Sequence, residues 1–281
     1  MYNLRYHIAS LVSVFLALAL GLVLGGLIVQ RGTFATQSTA LVEGLRNEFS
    51  DLREDNRTLT TQNENLDAFS GDFVDAWSQD RLTGRTFLIV GNGGRTEGIA
   101  AARGAIEGAG GSAAVVTILS PGLGLDDAET RAEVTSLAPD AAMPLESIAA
   151  ALAAEWFGPG GDRTLTNALT EAGIISVSDL PEATQAAGLV DLAAVEGEPD
   201  DAGLQLAIAA KEALTPSVAA QTPVIDTGVA AAAAGEDVAA FDTLGTEIGR
   251  YTLVTLLGEP STGYYGTAQA ADALFPPIVI P

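Results

Sequence analysis

Carboxylates are the commonest side chains in this 281-residue sequence that could do chemistry. Paired acids occur at Asp126-Asp127, Asp200-Asp201 and Glu236-Asp237. Such pairs can transfer protons or bind hard cations. All three lie in loop-like contexts, where acidic pairs commonly cap helices or keep a surface soluble. We therefore expect them to have surface roles.

Nucleophilic catalysis and soft-metal binding lack their usual residues here. The sequence has no cysteine, one histidine (His7) and, besides Met1, one methionine (Met143). No G-x-S-x-G motif occurs, and no histidine beyond the N-terminal flank could activate a serine. Copper(I) prefers sulfur ligands and copper(II) prefers imidazole. We expect no enzymatic activity, no cofactor and no tight copper site, and the sequence names no metal ligands.

Two glycine-rich turns could face a ligand. Gly93 and Gly94 lie in a G-N-G-G turn between a predicted strand and a predicted helix, where helix N-termini bind anions. This turn matches neither the dinucleotide nor the P-loop fingerprint, so a simple tight turn is the alternative. Tyr264 and Tyr265 stand between two glycines. They could form a turn that faces a ligand or partner, or fill the edge of the core with their hydroxyls in water.

The overall charge is strongly acidic and narrows the choice of partners. Thirteen Lys and Arg residues oppose 36 Asp and Glu residues, a formal net charge of −23. Nucleic-acid binders and proteins that dock on anionic membrane surfaces need the opposite sign. We therefore expect the protein neither to bind nucleic acid nor to dock on an anionic membrane surface. The apolar fraction of 48% is high enough for a buried core.

An uncharged apolar run near the N-terminus predicts a membrane anchor. Residues 8–29 span about 33 Å as a helix, enough for a hydrocarbon core of about 30 Å. A signal peptide is the competing interpretation, but its apolar core is usually about 7–15 residues long. The N-terminal flank of the run carries two positive charges, Arg5 and the amino terminus, and the other flank carries Arg31. This balance slightly favours an N-terminus inside the cell and an extracytoplasmic bulk.

Small residues within this run indicate a helix–helix contact. Ala17, Gly21 and Gly25 form two consecutive small-xxx-small steps on one helix face. Such steps allow two membrane helices to approach closely. The alternative is that glycine is simply common in membrane helices.

A heptad pattern follows the predicted anchor and predicts a parallel coiled-coil homodimer. The predicted d positions are Leu45, Leu52, Leu59 and Leu66, and the a positions are Val42, Phe49, Asn56 and Asn63. Asparagine at a favours a dimer in defined register, because a buried amide needs an amide partner. The alternative is one amphipathic helix that packs on its own globular domain. The heptad segment ends near Ser70 and Gly71, and Phe73 and Trp77 continue the helical spacing as a short connector.

The remaining sequence alternates strands and helices, which predicts an α/β fold with an open, mostly parallel sheet and helices on both faces. The predicted strands are residues 86–90, 113–119, 174–177, 189–195 and 223–226. The predicted helices are residues 97–109, 126–137, 145–157, 165–172, 204–214 and 245–257. We thus predict an anchor over 1–31, a coiled-coil stalk over 35–78 and an α/β domain over 84–281, with an irregular tail around Pro276, Pro277 and Pro281.

Three stretches in this order resemble a known family. They are RYHIASLVSVFLALALGLVLG at residues 5–25, the heptad segment leading into GRTFLIV at 84–90, and GYYG at 263–266 followed by residues 270–276. The chain is similar to the MctB family of actinobacterial copper-transport outer-membrane proteins. Family members often carry G-H-Y-G where this chain has G-Y-Y-G. Any role of that histidine therefore does not carry over to Tyr264.

The resemblance implies a role in copper transport or homeostasis at the cell envelope. The residues themselves offer no evident copper ligands, and no repeated strand segments indicate a barrel. A non-catalytic dimeric scaffold or a ligand-sensing envelope protein is the alternative. The sequence names no ligand, no protein partner and no subunit number beyond two.

Overall fold

The computed structural model describes residues 4–30, 33–92, 96–137, 145–159, 163–180, 186–192, 201–213, 215–222, 229–259 and 261–278. The chain divides into two compact units, Met1–Leu66 and Asp67–Pro281. The second is called the α/β unit below.

The first unit consists of helix α1 (Leu4–Gln30) and most of helix α2 (Thr33–Ser78). Arg5–Leu27 is, among the described residues, the one helical segment long and apolar enough to cross a membrane, although a signal sequence near an N-terminus would meet the same criterion. The large apolar side chains along this segment are exposed. The predicted N-terminal apolar helix is therefore confirmed, and its topology stays a prediction.

Helix α2 continues through Gly71 to Ser78, beyond the point where the heptad pattern weakens. A glycine inside a helix costs about 1 kcal/mol relative to alanine. Here the following turns contribute buried contacts, because Val74 and Ser78 are buried and Trp77 is half-buried. Tertiary packing therefore extends the helix past its weakest residue.

A seven-stranded sheet, counted over the described residues, forms the centre of the α/β unit. Its order is β3-β2-β1-β4-β5-β6-β7, and every neighbouring pair is parallel except β2 with β3. The strands are β1 (Thr86–Asn92), β2 (Ser112–Ile118), β3 (Ile175–Ser178), β4 (Gly188–Leu192), β5 (Ser217–Ala220), β6 (Ala239–Phe241) and β7 (Tyr264–Tyr265). The predicted α/β fold with a mostly parallel sheet is confirmed.

Both faces of the sheet are buried, which explains why its strands are continuous apolar runs rather than alternating ones. Leu88 and Val90 of β1 point into one core cluster, whereas Phe87 and Ile89 point into the other. The remaining helices are α3 (Thr96–Gly108), α4 (Ala128–Leu137), α5 (Leu145–Phe157), α6 (Thr164–Glu171), α7 (Asp201–Glu212), α8 (Val229–Gly235) and α9 (Glu247–Gly258). Helices α3 and α9 cover the Phe87 face, and α5 to α8 cover the Leu88 face.

Several short elements were not predicted from the sequence. The segments SVAA and AAF form β5 and β6, VAAAAAG forms α8, and the tyrosine pair forms β7. Alanine-rich segments of this length carry no period that separates strand from helix. The predicted strand at 223–226 and the end of the one at 189–195 lie outside the described residues. The tail residues 276–278 form no regular element, as expected, and Pro281 lies outside the described residues.

Candidate functional site

The carboxyl edge of the parallel strands is where an open α/β sheet binds ligands, at the point where strand order reverses. Here the order reverses between β1 and β4. Near the end of β1, a Cβ on Gly91 would lie 3.4 Å from Leu192 Cδ1 and 3.5 Å from Ile99, so helix α3 packs closely here. Gly93 and Gly94 lie outside the described residues, so their predicted ligand role stays a prediction.

Three buried polar side chains mark this edge. Asp191, Gln221 and Asp242 have exposed fractions of 1%, 0% and 1%. Asp191 lies within β4, and the other two directly follow β5 and β6. The β4–β5 and β5–β6 registers pair Asp191 with Ala219 and Ala220 with Phe241. Because side chains alternate along a strand, all three occupy positions on the Leu88 face of the sheet.

Sequence reasoning did not single out these three residues. Each interrupts an apolar run, in LVDLA, VAAQT and AAFDT. Charged and amide side chains are rarely fully buried unless they are paired. A polar residue inside a predicted buried strand was therefore the available signal.

Gln221 shows the unusual case of a buried side-chain amide without a partner. Its backbone N–H donates to the Phe241 carbonyl (2.8 Å), and its carbonyl accepts from Leu244 N (2.9 Å). Within the described part of the chain, neither Nε2 nor Oε1 of its side chain has a hydrogen-bond partner. An unsatisfied buried polar group costs about 1–3 kcal/mol.

Asp242 is the opposite case, because hydrogen bonds surround its carboxylate. Oδ1 accepts from Thr267 N (2.8 Å) and Thr267 Oγ1 (3.4 Å). Oδ2 accepts from Ala268 N (2.8 Å) and from the Tyr264 hydroxyl (3.1 Å). These donors satisfy both oxygens of the buried carboxyl group. These bonds fasten the segment after β7 to the end of β6.

The tyrosine pair therefore lies inside the α/β unit. Tyr264 and Tyr265 are both buried, on opposite faces of β7. The hydroxyl of Tyr264 donates to Asp242, and that of Tyr265 donates to the Thr262 carbonyl (3.2 Å). Of the two alternatives, the pair does fill the edge of the core, but its hydroxyls donate to protein oxygens rather than lying free in water. A role of the pair toward a ligand or partner stays a prediction.

Gly266 has a steric reason to be glycine. Its φ is 147°, and an added Cβ would lie 1.9 Å from Asp242 Oδ1. Any side chain at this position would collide with the carboxylate that the segment surrounds. The second glycine of the G-Y-Y-G motif thus allows the backbone to pass close to Asp242.

The end of α2 packs on α9 within the α/β unit. Arg250 Nη1 lies 2.7 Å from Asp75 Oδ1, and Arg250 Nη2 donates to the Gly71 carbonyl over 3.1 Å. The ring centroids of Trp77 and Tyr251 are 4.5 Å apart. The guanidinium carbon of Arg81 lies 3.8 Å from the centroid of the Trp77 ring, which is a cation–π contact. Aromatic and cation–π contacts of this kind hold the last turns of α2 against α9.

The predicted pairing surfaces of the first unit are open in the single chain. The apolar heptad residues Val42, Leu45, Phe49, Leu52, Leu59 and Leu66 are exposed, and so are Asn56 and Asn63. In α1, Ala17 is exposed, and a Cβ on Gly21 or Gly25 would meet nothing within 4 Å. The coiled coil and the anchor contact stay predictions, since one chain cannot show them.

The acidic pairs have surface roles where they are described. Asp127 Oδ2 accepts from Thr130 N (2.8 Å) and Thr130 Oγ1 (3.0 Å) and so caps α4. These two hydrogen bonds, the backbone one first, lower the pKa of the Asp127 carboxyl. Lys211 Nζ donates to the Glu236 carbonyl (2.7 Å) and lies 3.9 Å from Asp237. Asp126 is exposed at the start of this capped turn, and Asp200 lies outside the described residues.

No group of three or more His, Cys, Asp or Glu side chains that could hold a metal ion occurs among the described residues. Met143 lies outside them. The donors that the structure does describe at the sheet edge are oxygens, and those of Asp242 already accept hydrogen bonds from the protein.

An apolar N-terminal helix, a long exposed helix and an α/β unit with a mostly parallel sheet define a mixed α/β protein with one N-terminal segment long and apolar enough to cross a membrane, counted over the described residues. The chain belongs to the MctB family, because the family model described as "Copper transport outer membrane protein, MctB" matches residues 1–276. No curated protein and no solved structure matches the chain.

Proposed function

We propose that this chain serves copper transport at the cell envelope as a non-catalytic, membrane-anchored parallel homodimer. In this proposal α1 spans the membrane with its N-terminus inside, the heptads of α2 pair, and the α/β unit lies on the extracytoplasmic side. Membership of a copper-transport family supports the copper role. The exposed heptad leucines support the dimer, because apolar side chains in strict register bury best against a second copy.

The ligand inventory favours a scaffold over a copper carrier. Beyond α1 the chain has no histidine and no cysteine, and Met143 is its one methionine. Copper is then the cargo of the system, and this chain supports the assembly that moves it. The exposed seam of α2 is the observation that carries this part of the proposal.

A copper-sensitivity assay with paired variants tests the proposal. Cells lacking this protein should become copper-sensitive, and the wild-type chain should restore tolerance. Leu52→Lys should fail to restore it, because a lysine at d places a charge from each chain at the seam. Ser50→Lys adds the same charge at position b, outside the seam, and should restore tolerance.

The oligomeric state must be measured on the same variants. In mild detergent we expect the wild-type chain and Ser50→Lys to be dimers and Leu52→Lys to be a monomer. A monomeric wild-type chain contradicts the scaffold. Full copper tolerance with a monomeric Leu52→Lys chain contradicts the requirement for pairing.

Retention of the N-terminus tests the anchor separately. We expect intact-mass analysis of membrane-extracted protein to find residues 1–31 attached, because the apolar run exceeds the usual signal-peptide core of about 7–15 residues. A mature chain that begins shortly after residue 31 would show that the run is a cleaved signal.

A further inference from the structure

The exposed apolar side chains of the α/β unit are concentrated around the base of α2. Among its described residues, seven large apolar side chains are exposed, and six of them lie on the end of α2, on the first turn of α9 or in the segment after β7. This group, called the basal patch, consists of Phe69, Phe73, Ile248, Leu274, Phe275 and Ile278. The seventh, Leu119, follows β2. Clustered apolar exposure of this kind marks an interaction surface.

Ring contacts connect the parts of the basal patch. Phe69, Phe73 and Trp77 are spaced by four along α2 and are therefore neighbours on one helix face. Trp77 contacts Tyr251, whose ring meets Phe275 edge-on with centroids 5.9 Å apart. The Tyr251 hydroxyl also donates to the Pro277 carbonyl (3.3 Å), next to Ile278.

Helix α9 contributes Ile248 on the same side. Ile248 precedes Tyr251 by three residues and so lies beside it on α9. The patch thus follows the Trp77–Tyr251 side of this helix pair.

The heptad register identifies what covers the patch. Phe73 follows Leu66 by seven residues and therefore occupies the next d position, with 44% of its surface exposed. Trp77 occupies the a position that follows Phe73, at the start of the next heptad, and it packs on Tyr251 of its own chain. At the base of α2 the a side of the seam is closed internally, while the d side remains open.

We propose that the basal patch pairs with the same patch of a second copy of this chain, which extends the dimer from α2 onto the α/β units. This inference rests on the proposed parallel dimer. A two-fold axis along the heptad seam brings Phe73 against Phe73 of the second copy, and an isologous contact of this kind needs no other surface. The first turn of α9 and the tail around Phe275 then meet their counterparts beside it.

Cysteine cross-linking of the full-length chain in membranes tests the inference, and the absence of native cysteines makes each engineered thiol unique. Leu59→Cys reports on the heptads, while Phe73→Cys and Ile248→Cys report on the patch. Leu119→Cys is the matched control, because it is exposed and apolar but lies outside the patch. Mild oxidation is used to cross-link the Leu59→Cys and Phe73→Cys variants of α2. A short bis-maleimide is used to cross-link Ile248→Cys and Leu119→Cys. Thermal unfolding of each variant checks that it is folded.

We expect cross-linked dimer from Leu59→Cys, Phe73→Cys and Ile248→Cys, and none above background from Leu119→Cys. Dimer from Leu59→Cys alone would overturn the patch contact and leave the coiled coil intact. Dimer from Phe73→Cys without Ile248→Cys would confine pairing to the helices and overturn the part played by α9. Absence of dimer from all three would overturn the proposed dimer itself.

Discussion

The Tyr264 hydroxyl donates to Asp242 Oδ2 over 3.1 Å, and both side chains are buried at the end of the sheet. This bond joins two strands that are adjacent in space and 22 residues apart in sequence. Together with the amides of Thr267 and Ala268, it gives Asp242 a complete set of donors. The Asp242 carboxylate thus fastens the start of the segment after β7 to the end of β6.

Replacing Asp242 with Asn should destabilise the α/β unit by about 2–3 kcal/mol, because the amide nitrogen faces groups that donate and the charge-assisted bonds are lost. Tyr264→Phe removes one donor and should cost about 1 kcal/mol. Chemical denaturation measures both. Tyr265→Phe is the matched control, since its hydroxyl bonds to a neutral carbonyl. An Asp242→Asn variant no less stable than that control would refute the role of the carboxylate.

Replacing Gln221, unlike replacing Asp242, should not lower the free energy of unfolding. Its unpaired amide is a cost in the folded state, so Gln221→Met, of similar length, should leave stability unchanged or raise it by about 1 kcal/mol. Denaturation midpoints of the two proteins give the answer. A loss of more than about 1 kcal/mol would mean that a ligand or an ordered water satisfies the amide.

Glu155 caps a helix to which it does not belong. Its carboxylate accepts from Leu165 N (2.7 Å), Thr166 N (3.0 Å) and Thr166 Oγ1 (2.7 Å) at the start of α6. Glu155→Gln should destabilise the protein by about 1–2 kcal/mol, because an anion at a helix N-terminus is favoured and the amide presents only one acceptor. Glu146→Gln, at an exposed position in the first turn of α5, should change stability less. Equal effects would contradict the capping role.

The pH dependence of α4 follows from Asp127. Its pKa is lowered in the folded state, chiefly by the Thr130 N–H and then by the Thr130 hydroxyl. A lowered carboxyl pKa stabilises the folded state above the ordinary value of about 3.9 and stops doing so as pH falls through the folded value. NMR titration should find this lowered pKa, and Thr130→Ala should raise it toward the ordinary value. An unchanged pKa in Thr130→Ala would show that the hydroxyl contributes nothing.

Copper binding by the chain itself should be weak. We expect a competition titration of the purified protein against a chelating indicator to find neither a tight copper(I) nor a tight copper(II) complex, because sulfur and imidazole ligands are almost absent. A one-to-one complex tighter than about micromolar would contradict this ligand count. Met143→Leu would then be the first variant to test, with His7→Gln beside it.

Elements were predicted correctly where a pattern within a single segment of the sequence identifies them. The strand TFLIV and the helix after it were predicted because an apolar run and an alanine-rich run, separated by glycines, differ in residue type and length. Helix α5 was predicted with its observed bounds, Leu145–Phe157. The prediction of α1 needed only a long uncharged apolar run, and the prediction of α2 needed only the heptad spacing.

The short strands at the β5–β7 side of the sheet could not be predicted in this way. AAF and SVAA are strands because neighbouring strands supply their hydrogen-bond partners and both faces are covered, and alanine by itself favours a helix. The antiparallel direction of β3 likewise depends on the path of the chain through α4 to α6, which no local pattern encodes.

The sequence alone therefore determined the longer helices, the strands that are distinct apolar runs, how acidic the protein is and which residue types it lacks. Those properties depend on residue type and on spacing within one segment. Only the tertiary structure placed Asp242 among the donors of the tyrosine turn, left the Gln221 amide without a partner among the described residues and packed Trp77 against Tyr251. The two contacts join residues that are 22 or more positions apart in the sequence. Only the packing of whole elements brings such residues together, and the same packing decides whether the Gln221 amide meets a partner.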